Sequence, residues 1–206
     1  MTTLLVIAKA PVPGRVKTRL TPPLTPEQAA AVAEAALADT LAAVLATPAR
    51  RRVLVLAGAP GPWLPPGFEV RPQHGGGLDL RLAAAFAGCT GPTLLVGMDT
   101  PQITPDLLSV DWSAADAWFG PATDGGFWAI GMRRPDASVF PGVPMSVPET
   151  GAVQRARLLA AGLTVRDLST LTDIDTADDL AAVTRDIPGT HCAGVARALL
   201  GDGVYA

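Results

Sequence analysis

"TLLVIAKAPVPGRVKTRL" (3–20) sets an apolar run against a loop that carries Lys9, Arg15, Lys17 and Arg19 among two prolines and Gly14. Apolar residues at consecutive positions, as in TLLVI, are the pattern of a strand buried on both faces of a parallel sheet. The loop after such a strand lies at its carboxyl end, where open α/β sheets bind ligands. Its basic residues are a local feature: the chain has 16 Lys and Arg against 19 Asp and Glu, a net charge of −3. No global basic field draws a nucleic acid. Either the loop is solvated surface or it grips a small anion, and the rest of the chain decides between them.

A chain of 206 residues, 49% of them hydrophobic, can build one domain with an ample core. Cys89 and Cys192 have neither zinc spacing nor the density of a secreted scaffold, and they read as two free thiols. No segment is expected to offer the ~20 consecutive apolar residues that span a bilayer. The run before Lys9 is too short for a signal-peptide core. These features predict a cytoplasmic protein without a membrane span.

Outward from the first strand, Thr25 before Pro26 and three residues before Gln28 predicts a capping box and a helix to about Ala46. RRVLVLAG (51–58) is a second buried strand, FEVRP a short third, and LRLAAAFAG (80–88) a helix closed by Gly88. PTLLVGMD (92–99) is a strand whose last residue is Asp99, and Thr104-Pro105 opens a short helix. ADAWFGPA and GFWAIGM are strands joined by TDGG (123–126); a helix ending at Gly162, the strand LTVRDL, a helix capped by Thr176 and a last helix AGVARALL follow. A loose tail, GDGVYA (201–206), closes the chain. Alternating strands and helices predict an α/β fold, a three-layer α/β/α sandwich with a mostly parallel sheet in one domain.

Three charged features then fall at strand ends. Gly14 gives the basic loop the freedom a phosphate cradle needs, Arg15 and Arg19 can fork onto phosphate oxygens, and Lys17 acts as a point charge. Asp99 suits Mg²⁺ or Mn²⁺, which take hard oxygen donors; alternatively it caps the turn at Thr100 and Pro101. In DIDTADDL (173–180), Asp173 and Asp175 stand just before a helix whose first turn holds Asp178 and Asp179. Only one of Asp173 and Asp175 is expected to reach the site. Asp124, Gly125 and Gly126 make either a plain hairpin turn or a contact for an acceptor. His74 sits in a loop and carries little signal. Nucleophile elbows, Cys/His pairs, zincin motifs and dinucleotide fingerprints are missing.

AKAPVPGRVKTRL, GMDTPQITP, GPATDGGFWAIG and DIDTADDL occur in the order and spacing of the DUF2064 family, the radical-SAM/selenodomain-associated transferase 1 group, which this chain resembles from about residue 3 to 187. That family is similar to the nucleotide-diphospho-sugar transferases of GT-A fold, among them the molybdenum-cofactor and phospholactate guanylyltransferases. The resemblance implies nucleotide binding by Ala8, Lys9, Gly14, Arg15, Lys17 and Arg19, with Leu78 and Asp79 of GGLD as further contacts. It implies a divalent metal, Mg²⁺ or Mn²⁺, on Asp99 and Asp175, and an acceptor near Asp124, Gly125 and Gly126. Catalysis would fall to Arg15, Lys17 and Asp99. The expected reaction moves a nucleotidyl unit from a nucleoside triphosphate, GTP among them, to a small phosphorylated or carboxylate acceptor and releases pyrophosphate. The alternatives are a glycosyltransferase with a nucleotide-sugar donor and a nucleotide-binding protein without turnover. Phe127-Trp128 and Met145-Ser146-Val147 depart from the family pattern on the acceptor side.

Overall fold

Alternate residues of β1 (Thr3–Lys9) serve two separate cores in the computed structural model, which describes residues 1–201. Leu4, Val6 and Ala8 cluster with one face of α1 (Pro26–Ala46), whereas Leu5 belongs to the core under α2 (Leu78–Ala87). The same split divides Leu54 and Leu56 from Val53 and Val55 in β2 (Arg51–Ala57), and Leu94 and Val96 from Leu95 in β4 (Thr93–Val96). Both faces of the sheet are therefore apolar, as consecutive hydrophobic residues require.

Seven strands stand in the order β3-β2-β1-β4-β6-β5-β7, with β3 at Glu69–Pro72, β5 at Ala117–Pro121, β6 at Phe127–Met132 and β7 at Val165–Asp167. Only β6 runs against its neighbours β4 and β5; all other pairs are parallel. The carboxyl ends of β1, β4, β5 and β7 consequently open on one edge. α1 and α3 (Pro105–Leu108) cover one face, α2 and α4 (Thr150–Ala160) the other. The three-layer α/β/α sandwich is the observed architecture. α5 (Ala177–Asp186) and α6 (His191–Leu200) pack Leu180, Val183, Cys192 and Ala196 against the outer side of α1.

The double burial of α1 explains its composition. Its Thr25 capping box is formed in both directions, and Pro26 occupies the first turn. Contrary to the expectation from sequence, α1 is long and apolar enough to cross a membrane, with mean hydropathy 1.7, but 67% of that window is buried inside the protein. A helix apolar all round is what a position between the sheet and α6 demands.

Two boundaries at the strand-end edge differ from the sequence reading. α2 starts at Leu78 after Gly77, two residues early, and Gly88 at its end has φ −88°, so no left-handed cap operates there. β4 stops at Val96, which leaves Asp99 beyond the strand instead of on its last position. The tail after Gly201 lies outside the described residues.

Candidate active site

The edge formed by the strand ends is a pocket of about 430 Å³. Its charges divide by origin. Lys9, Arg15, Lys17 and Arg19 come from the loop after β1 and Arg81 from α2, whereas Asp99, Asp124, Asp173 and Asp175 follow β4, β5 and β7. Hydrophobic strands bring the two sets face to face. The expected meeting of a basic loop with carboxylates at strand ends is thus present in the fold.

Lys17 is the hinge of the arrangement. Its backbone is left-handed (φ 48°, ψ 37°), unusual outside glycine, and its side chain is 5% exposed. The ammonium lies 2.6 Å from Asp99 Oδ1 and 3.7 Å from Asp175 Oδ1 and donates to the carbonyl of Ile174. Arg19 reaches Asp175 Oδ2 at 2.8 Å. Lys17, read from sequence as a free phosphate contact, is in this structure engaged by carboxylates. Among the described residues, Lys9 and Arg15 line the pocket with no ion pair, so their charges remain available. Gly14 (φ 73°) permits the turn that presents Arg15 but does not itself line the pocket.

Asp173 and Asp175 both reach the pocket, which corrects the expectation that only one would. Residues two apart on an extended segment share a face. Ile174 between them is fully buried in the α1–α5–α6 core, and the two carboxylates flank it. The Thr100 hydroxyl donates to Asp173 Oδ1 at 2.7 Å. Burial, opposed by that hydrogen bond and aided by the nearby Asp99 and Asp124 charges, pushes the Asp173 carboxyl up to about 6. Among the described residues the Asp99 side chain pairs with Lys17 and no turn amide donates to it, so the capping alternative does not describe it.

Nucleotide contacts expected at GGLD separate. Leu78 lines the pocket, but Asp79 turns away and accepts from the Gly142 amide at 3.0 Å, tying α2 to the far loop. Ala8 lines the pocket, and its carbonyl accepts from Gln73 Nε2 at 2.7 Å. Arg81 supports the same Gln73 through a 3.3 Å contact to Oε1. Sequence reasoning missed Gln73 and Arg81, since a lone Gln and an Arg on an amphipathic helix carry no motif. His74 stays exposed beside Gly75 and outside this pocket.

On the opposite wall, Asp124 Oδ1 accepts from the Gly126 amide at 2.8 Å and closes its own turn. Asp124 and Gly126 face the pocket, whereas Gly125 (φ 87°) packs against Pro148, whose carbonyl oxygen fills the space a Cβ would need. Phe127, Met145 and Val147 form an apolar wall, while Trp128 is buried and donates to the Ser169 carbonyl at 3.0 Å. The two segments that depart from the family pattern therefore meet in one wall.

The donor set fits a hard divalent cation. Among the described residues no group of three or more His, Cys, Asp or Glu gathers as a metal cage. Mg²⁺ commonly needs only one or two carboxylates and completes its shell with water and phosphate. Asp99 and Asp175, 42% and 38% exposed and already sharing one cation, are such a pair.

The fold has known counterparts. It superposes on the crystal structure of a candidate nucleotide-diphospho-sugar transferase from Desulfovibrio desulfuricans G20 with TM-score 0.88 and 25% identity, covering 99% of this chain and 96% of that one. The CMP:2-keto-3-deoxy-manno-octonic acid synthetase complexed with CTP shares the fold at TM-score 0.55 and 12% identity, over 98% and 99% of the two chains. The 2-C-methyl-D-erythritol 4-phosphate cytidylyltransferase of Thermus thermophilus does so at 0.52 and 16%, over 89% and 97%. No curated protein matches this sequence. Residues 29–147 match the family described as uncharacterized protein conserved in bacteria (DUF2064), and the chain belongs to that family, built on a nucleotide-diphospho-sugar transferase fold.

Proposed function

We propose that this chain, an enzyme of the transferase class acting as one cytoplasmic domain, is a nucleotidyltransferase that uses a nucleoside triphosphate, GTP among the candidates, and a small acceptor. One observation carries the reading: Lys9 and Arg15, free of ion pairs among the described residues, face Asp99 and Asp175 across one pocket. Two free cations suit the β- and γ-phosphates, and Arg15 can fork onto two oxygens. Asp99 and Asp175 would hold Mg²⁺ or Mn²⁺, which when bound offsets charge on the phosphates. An acceptor oxygen attacks the α-phosphorus, the bond to the bridging oxygen breaks, and pyrophosphate leaves with the electron pair. Arg15 stabilises that leaving group. A phosphate or carboxylate acceptor is already a nucleophile and needs no base.

A second reading, glycosyl transfer from a nucleotide-sugar, draws support from the acceptor half. Among the described residues that half presents Asp124 and Asp173 and no Lys or Arg, a surrounding that suits a hydroxyl acceptor better than an anion. A thermal-shift panel of the four nucleoside triphosphates and a set of nucleotide-sugars, with and without Mg²⁺, separates the two. A ligand at a hundred times its Kd adds about 2.7 kcal/mol to native stability. A metal-dependent shift with one triphosphate supports nucleotidyl transfer and names the base; a shift confined to nucleotide-sugars supports glycosyl transfer. No shift with either class defeats both readings.

A further inference from the structure

Lys17 occupies the place where a metal would share Asp99 and Asp175. Its ammonium takes one oxygen of each carboxylate, at 2.6 and 3.7 Å, and adds the Ile174 carbonyl. The side chain is 5% exposed, and a left-handed backbone at a non-glycine residue aims it inward, a conformation that the surrounding contacts must sustain. These are the same hard oxygens that Mg²⁺ or Mn²⁺ would coordinate at ~2.0–2.2 Å, and two cations cannot share them at that range. Arg15 of the same loop lines the same pocket as Lys17, so phosphate held by Arg15 enters the pocket that Lys17 faces.

We propose that Lys17 is an internal counterion that holds the Asp99–Asp175 pair in place of a divalent cation and yields it when substrate phosphates offer the ammonium another partner. The inference rests on the reading of Asp99 and Asp175 as the metal pair. Metal alone then binds weakly because it must displace an ammonium that already neutralises Asp99 and, together with Arg19, Asp175. Nucleotide removes that competitor, and by reciprocity metal and nucleotide each tighten the other's binding. Premature metal loading is suppressed, and an empty site carries no uncompensated pair of acids.

The test is calorimetric titration of Mn²⁺ alone, without nucleotide, into the wild-type chain, Lys17→Met, Lys17→Arg and Lys17→Met/Asp99→Asn. Lys17→Met is expected to bind Mn²⁺ about tenfold more tightly than wild type or more, a gain that the added Asp99→Asn removes. Lys17→Arg keeps a cation and should remain as weak as wild type. Equal Mn²⁺ affinity in wild type and Lys17→Met, lost in both with Asp99→Asn, overturns the inference and leaves the metal pair standing. Mn²⁺ binding that ignores Asp99 in every background overturns the inference and the metal reading together. Should Lys17→Met not fold in the absence of metal, its thermal melt is followed with added Mn²⁺: restored cooperative melting supports the exchange, and failure to restore it overturns it.

Discussion

The amide of Ile174 donates to the carbonyl of Asp99 at 3.0 Å and locks the segment after β7 to the segment after β4. Through that one backbone bond, Asp173, Asp175 and Asp99 become neighbours although β6 and β5 stand between the two strands in the sheet. Substitutions around this clasp should separate stability from ligand binding.

Asp99→Ala removes the nearer partner of a buried ammonium and leaves Asp175 at 3.7 Å. A loss of about 1–2 kcal/mol in native stability is expected, moderated because Asp99 is half-exposed. The same variant should lose every metal-dependent shift with nucleotide, which denaturant titration and thermal shift measure side by side.

Arg15→Ala and Lys9→Ala break no ion pair among the described residues. Each should leave the melting temperature nearly unchanged and weaken triphosphate binding by roughly tenfold, with the loss shrinking as salt is raised. Unchanged affinity in both variants would remove the loop from the donor site.

Asp173 gives a pH signature in the metal-free protein. Its folded pKa is raised from 3.8 to about 6, so between those values the native state binds more protons than the unfolded chain. Stability contributed by protonated Asp173 is therefore present below the unfolded value and lost as pH rises through about 6. Asp173→Asn keeps an acceptor for Thr100 and should gain stability relative to wild type above pH 6, by no more than about 3 kcal/mol. Chemical unfolding at about pH 4 and about pH 7.5 checks the sign.

Gly125→Ala and Gly14→Ala share a positive φ but not an environment. A Cβ at Gly125 would collide with the Pro148 carbonyl oxygen, whereas one at Gly14 meets nothing within 4 Å. Gly125→Ala should cost more than about 3 kcal/mol and disturb the Met145–Val147 wall, and Gly14→Ala about 1 kcal/mol. Melting curves of the two variants rank them.

Burial pushes the Cys192 thiol up to about 12 and also raises Cys89. At about pH 8 a thiol reagent should label native Cys192 far more slowly than a free cysteine, with full labelling only on unfolding. Rapid native labelling of Cys192 would contradict its place against α1.

Much of this was legible in the chain itself. Consecutive apolar residues in TLLVI and TLLV specify strands covered on both faces, the Thr25–Gln28 pair and the cap Thr176 specify helix starts, and strand ends followed by charge specify where a ligand goes. Such signals are local, so sequence carries them whole. The family motifs likewise pointed to Asp99, Asp175 and the basic loop. What sequence could not settle was partnership across the sheet. Asp79, in a motif, turned to Gly142, while Gln73 and Arg81, in none, came to the pocket. Lys17, one of four similar cations in its loop, was singled out because the left-handed turn and the Ile174–Asp99 clasp bring an ammonium and two distant carboxylates to one point. Periodicity and capping depend on residues within one turn or strand, whereas pairing of charges depends on which strand ends the packed core makes neighbours, and only the tertiary structure decides that.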